Sequence, residues 1–240
     1  MIRVRISAAR GSTPREVGAE MMVTVDGATG SIGGGALEYM ALDRARQMLA
    51  RGETESRMDV PLGPEIGQCC GGRVTLSLDR QPATPPPPAP PVLIFGAGHV
   101  GRALAAALAP LPVAARLIDS RAEELARATG PTTLTAIPEA EVRAAPPGAA
   151  YVVMTHDHAL DFLIAAEALS RRDAAWVGMI GSRSKRASFA RHAARTGVDP
   201  APLVCPIAAT APRDKRPEVI AAFAAAEIMA ALLTPARALA

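Results

Sequence analysis

The chain has 240 residues, enough for one large domain or two modest ones with cores of their own. Hydrophobic residues make up 49% and aromatic residues only 3%, so an interior has to be built from Ala, Val, Leu, Ile and Met. A formal net charge of +3 with no Lys/Arg block or interleaved aromatics argues against a nucleic-acid surface, and no apolar run approaches the roughly 20 residues of a membrane span. Three cysteines, Cys69, Cys70 and Cys205, two of them adjacent, argue against a disulfide framework and for reduced thiols in a cytoplasmic protein.

Ile2, Val4 and Ile6 alternate with Arg3, Arg5 and Ser7, which predicts a strand with one apolar face. Gly11-Ser12-Thr13-Pro14-Arg15 breaks it. A second strand, Met21 to Val25, runs into the hairpin pair Asp26-Gly27, and a glycine-rich stretch from Gly30 to Gly35 follows. Leu37, Met40, Ala41, Ala45, Met48 and Leu49 then recur at helical spacing, with Gly52 placed to end the helix. After a charged segment come Gln68-Cys69-Cys70-Gly71-Gly72 and a closing strand in which Val74, Leu76 and Leu78 alternate with Thr75 and Ser77. Residues 1–80 therefore read as a small α+β domain. Residues 81–91 contain seven prolines and predict a semi-rigid linker that can join neither a helix nor a sheet ladder.

Residues 92–240 read as a Rossmann-like α/β domain with a parallel sheet. Val92-Leu93-Ile94-Phe95 leads straight into Gly96-Ala97-Gly98-His99-Val100-Gly101, the order of strand, tight turn and helix. In that pattern Gly96 allows the turn, Gly98 lets an anion approach the backbone, and Gly101 lets helix and strand pack closely. Asp119 closes the next strand, near the offset of about 20 residues expected of a ribose-binding carboxylate. Ser120 and Glu123 have capping-box spacing for a helix running to Arg127, and a short strand is expected from Thr132 to Ala136. Further βα alternation follows, with strands at 150–154, 175–180 and 203–207, a helix at 160–171, and a last helix from Pro217. Ligands bind at the carboxyl ends of such strands, so the glycine turn, Asp119, the His156 segment and the Arg183 segment are expected in one cleft.

Several residues along the chain can carry chemistry. Cys69 and Cys70, followed by two glycines, are either soft thiolate donors for a metal or sulfur transfer, or two small buried hydrophobes beside a bend. His156 and His158 flank Asp157, which suits a general base with an orienting carboxylate, a phosphate grip, or simply a helix cap. Gly181-Ser182-Arg183-Ser184-Lys185 offers amides, hydroxyls and two cations to a phosphate, or is a solvated helix start. His99 is expected to face the same cleft and His192 to lie on the surface. The small-residue face of the last helix is a packing surface or a dimer contact.

Taken together, Gly11–Arg15, Gly33-Gly34-Gly35 with Leu37-Glu38, Cys69–Gly72, Phe95–Gly101, Met154–His158 and Gly178–Arg183 resemble, in order, the XdhC/CoxI family of xanthine dehydrogenase accessory proteins. The resemblance implies a chaperone, not an enzyme, that binds molybdenum cofactor (molybdopterin). It implies that the cofactor is protected while a cysteine desulfurase sulfurates it and is then inserted into xanthine dehydrogenase. It also implies a cytoplasmic homodimer. The residues expected to hold the cofactor are Gly96, Gly98, His99, Gly101, Asp119, His156, Asp157, Ser182, Arg183 and Lys185, with Cys69 and Cys70 as the molybdenum or sulfur contacts. The glycine fingerprint and Asp119 taken alone favour another reading, an NAD(P)-dependent oxidoreductase or a site for some other nucleotide. The chain departs from the family pattern by opening on its first strand without the usual preceding helix, and by carrying Ala208 where a glycine is usual.

Overall fold

A computed structural model describes residues 1–64, 71–80, 88–212 and 214–233. The chain divides into two compact units, Met1–Pro87 and Pro88–Ala240.

The first unit contains β1 (Ile2–Arg10), β2 (Glu20–Val23), β3 (Ala28–Gly30), α1 (Gly35–Arg51), β4 (Glu55–Pro61) and β5 (Arg73–Arg80). Its strands form one antiparallel sheet in the order β3-β2-β1-β5-β4. Period-two alternation on β1 and β5 turns Ile2, Val4, Ile6, Val74, Leu76 and Leu78 to one face. There they meet Leu37, Ala41, Ala45 and Met48, whose spacing makes a single stripe along α1. Gly52 ends that helix in the left-handed conformation, and its N–H bonds back to the Met48 carbonyl. The charged stretch after α1, given no element by its composition, is the edge strand β4. Its outer row is Glu55, Arg57 and Asp59, and pairing with β5 supplies the order that sequence alternation does not announce. Charge on an exposed edge also discourages pairing with other chains.

The second unit runs β6 (Pro91–Phe95), α2 (His99–Leu108), β7 (Ala114–Asp119), α3 (Ala122–Leu125), β8 (Thr132–Leu134), α4 (Pro138–Ala144), β9 (Ala150–Val153), α5 (His158–Ser170), β10 (Trp176–Met179), α6 (Arg183–Thr196), β11 (Leu203–Val204) and α7 (Pro217–Leu233). All six strands are parallel, in the order β11-β10-β9-β6-β7-β8. The first strand of the unit is thus central, with the chain wound outward on both sides of it. β6 is apolar throughout because both its faces are covered. Val92 and Ile94 pack with α2 and α7, while Leu93 and Phe95 pack with α4, α5 and α6.

Several details differ from, or add to, the sequence expectations. Ser120 and Glu123 form no capping box: α3 is a single turn preceded by Arg121, and Asp119 accepts the Arg121 N–H instead. The strand expected to reach Ile207 stops at Val204, just before Cys205 and the donorless Pro206. His192 is half-buried against the rings of Phe162 and Phe189 rather than on the surface. Ala208 adopts a left-handed φ of 55°, the conformation a glycine takes at no steric cost. The carboxylate of Glu227 on α7 holds this loop by accepting the N–H groups of Ala208 and Ala209.

Candidate functional site

The turn between β6 and α2 assigns its three glycines to two different jobs. Gly96 has a φ of 114°, and a Cβ on it would come within 2.3 Å of the Met154 carbonyl oxygen at the end of β9. A Cβ on Gly101 would come within 1.9 Å of the Gly96 carbonyl oxygen. Both positions are closed by packing. A Cβ on Gly98 would have nothing within 4 Å among the described residues, so the first amides of α2 are open to an approaching group. His99, the first residue of the helix, is exposed beside them. Arg102, one turn on, bonds the Ala97 carbonyl and pairs with Glu124, bracing the turn from the helix side.

Asp119 lies one strand away and is almost fully buried. Its Oδ2 accepts the Ala97 N–H at 2.6 Å and the Arg121 Nη2 at 2.8 Å, while its Oδ1 accepts the Arg121 main-chain N–H and Nε at 3.0 Å each. Burial raises the carboxyl's pKa, but the Arg121 bonds and the Ala97 amide outweigh it and hold the group below the ordinary carboxylate value. Both oxygens are committed, so a ribose would have to take the place of Arg121.

On the other side of β6, Asp161 in the first turn of α5 is completely buried. Its Oδ1 accepts the N–H and the hydroxyl of Thr155 at 2.9 and 2.8 Å, and its Oδ2 pairs with Lys185 Nζ. Sequence reasoning does not single this residue out, and it holds the loop after β9 to the start of α6. The Lys185 charge is therefore spent on Asp161. Arg183 is exposed and makes no ion pair among the described residues. Ser182 caps α6, its hydroxyl accepting the Lys185 N–H at 3.2 Å. Asp157 caps α5 through the Ala159 N–H at 2.7 Å. Its bonds serve the helix, and none joins it to His156 or His158 among the described residues. His156 is exposed at the same rim. The Cys205 thiol is buried near the Ser182 carbonyl; burial pushes its pKa up, with Lys185 and Arg186 pulling the other way.

The structure thus brings Gly96, Gly98, His99, Gly101, Asp119, His156, Asp157, Ser182, Arg183 and Lys185 to the carboxyl edge of one sheet. The crevice where the winding reverses, between Gly96, Asp119, Ser120, Thr155, His156 and Leu160, measures only about 10 Å³. Cys69 and Cys70 lie outside the described residues. Among the described residues no group of three His, Cys, Asp or Glu side chains is placed to hold a metal ion. A larger cavity of about 520 Å³ sits at the opposite, amino edge near Trp176 and Gly197, and none of the expected site residues lines it.

The class this defines is a Rossmann-type domain whose glycine turn leaves the start of α2 unobstructed at Gly98, in a chain that also carries a small antiparallel α+β unit. Residues 92–228 match the XdhC Rossmann domain, and residues 1–60 match the XdhC and CoxI family. The chain belongs to that family. It is 29% identical over 205 residues to the uncharacterised Escherichia coli protein YqeB, covering 79% of this chain but 35% of that protein. The chain therefore spans about a third of that relative's length. A crystal structure described as a xanthine dehydrogenase from Bacillus halodurans superposes with a TM-score of 0.78 at 16% identity, over 100% of this chain and 93% of that one. At that identity the likeness concerns the fold. Among the described residues no helix is long and apolar enough to cross a membrane.

Proposed function

We propose that this chain is an accessory protein in the maturation of xanthine dehydrogenase, and that its cargo is molybdenum cofactor. The observation that carries the reading is the pairing, at one sheet edge, of the open amides at Gly98 with the capped helix start at Ser182 and Arg183. β6 and β10 are separated only by β9, so the two helix starts stand at the same edge of the sheet, one on each face. A ligand with anionic groups at two points can use both, and molybdopterin is a phosphate ester with a dithiolene-held metal. Helix-start amides and a guanidinium bind the phosphate without chemistry of their own. Lys185, neutralised by Asp161, positions the loop rather than meeting the anion directly. Cys69 or Cys70 supplies the thiolate that contacts the metal or relays sulfur, a soft donor for a soft centre.

In this reading a cysteine desulfurase sulfurates the cargo while it is held, xanthine dehydrogenase receives it, and the protein works as a cytoplasmic homodimer. The alternative, an NAD(P)-dependent oxidoreductase, is weakened by Asp119, whose oxygens already serve Ala97 and Arg121. The test is retention. Purified chain mixed with molybdopterin is passed through gel filtration and the bound pterin is measured. Arg183→Ala is expected to lose most of the retained pterin at an unchanged melting temperature. Retention equal to that of the unaltered chain would remove Arg183 from the site, and robust hydride transfer from NAD(P)H would promote the alternative.

A further inference from the structure

We propose that the outer face of the five-stranded sheet carries a separate anion site, formed by Arg10, Arg57 and Arg73, that takes a phosphate-bearing small molecule. It stands independently of the reading above, because every residue in it belongs to the first unit.

β1 changes phase along its length. Ile2, Val4 and Ile6 point to the core, and unbroken alternation would send Ala8 and Arg10 the same way. The register with β5 shifts between Ile6 and Ala8. After the shift Ala9 stands opposite Val74 and packs against the core, while Arg10 stands opposite Arg73 on the outer face. Bulges re-aim side chains in this way and are common beside binding sites. Here the bulge sets two guanidinium side chains directly across the ladder, an arrangement that costs stability when no counter-charge is present.

The next row is small. Ala8 faces Thr75, which faces Asp59, and these make the floor of a basin of about 340 Å³ rimmed by Arg10, Arg57 and Arg73. Asp59 pairs with Arg73 at 2.6 Å and neutralises one of the three positive charges. The side chains of Arg10 and Arg57 make no hydrogen bond or ion pair among the described residues. Two guanidinium groups with no counter-charge among the described residues, set around a small-floored basin, match the double charge of a phosphate monoester, and the planar fork of arginine suits phosphate oxygens in pairs. A single carboxylate would leave one of the two charges unanswered.

The test titrates the full chain with inorganic phosphate at low ionic strength and follows the amide resonances of Ala8 and Thr75. Saturable shifts are expected, with the affinity falling about tenfold in Arg10→Gln and in Arg57→Gln and staying the same in Arg183→Gln. Shifts that never saturate, or that titrate equally in Arg57→Gln and the unaltered chain, would overturn the proposal. Melting temperatures recorded alongside confirm that each of these surface variants is folded.

Discussion

The Asp119 carboxylate accepts the main-chain N–H of Ala97 at 2.6 Å, so the end of β7 fixes the turn that leaves β6. Because the folded pKa of Asp119 lies below its unfolded value of about 3.9, its contribution is present above that pH and is lost as pH falls through the folded value. Glu38 adds to the same acid limb: its pKa is lowered first by the Ser31 hydroxyl and then by the amides of Gly34, Ile32 and Gly33. Asp119→Asn is expected to cost about 1–3 kcal/mol at neutral pH, since it strips the charge from a buried, bonded group. Denaturant unfolding measured between pH 7 and pH 3 should show a flatter acid limb in this variant than in the unaltered chain.

Gly98 and Gly101 should separate binding from folding. A methyl group at Gly101 meets the Gly96 carbonyl, so Gly101→Ala is expected to lower stability by about 1–3 kcal/mol. At Gly98 a methyl group meets nothing of the described chain but stands where a ligand would approach. Gly98→Ala should therefore keep its melting temperature and lose pterin retention. A matching stability loss at both positions would mean that Gly98 also serves packing.

Asp161 and Lys185 form a buried pair whose members depend on each other. Asp161→Ala strands a buried ammonium and frees the Thr155 amide, and is expected to cost about 3–5 kcal/mol. Asp161→Leu combined with Lys185→Met removes both charges and should cost clearly less than Asp161→Ala. The double variant should still weaken pterin retention, because the loop after β9 is no longer tied to α6. Urea unfolding of the three proteins measures the difference.

Cys205 is a buried thiol whose pKa is raised by burial. In the native chain it should resist iodoacetamide at neutral pH and become reactive only on unfolding, as read by peptide mass spectrometry. Rapid alkylation of Cys205 under native conditions would show that the loop at Ala208 opens. Ala208→Gly removes the left-handed strain at that loop and is expected to stabilise the chain by roughly 0.5–1 kcal/mol.

How far the sequence can be read follows from the range over which each feature is defined. The strand, glycine turn and helix at 92–108 are written in consecutive residues, because steric closeness at Gly96 and Gly101 and an open amide at Gly98 are demands on the local backbone. Asp119 is legible for the same reason, at a fixed distance along one βα unit, although its occupation by Arg121 is not. The edge strand β4 escapes a reading by pattern because its order comes from pairing with β5, while its own side chains are those of a solvated segment.

Composition and local pattern by themselves determined that this is an α/β chain with a parallel Rossmann-like unit opening on a strand, glycine turn and helix, and a small α+β unit. The tertiary structure alone decided which charges are available at each face. Lys185 is spent because Asp161, 24 residues away in sequence, folds beneath it, and Arg10 points outward because one bulge reverses the parity of its strand. Charge pairing and side-chain direction depend on neighbours that only folding brings within a few ångströms, and no linear spacing records them.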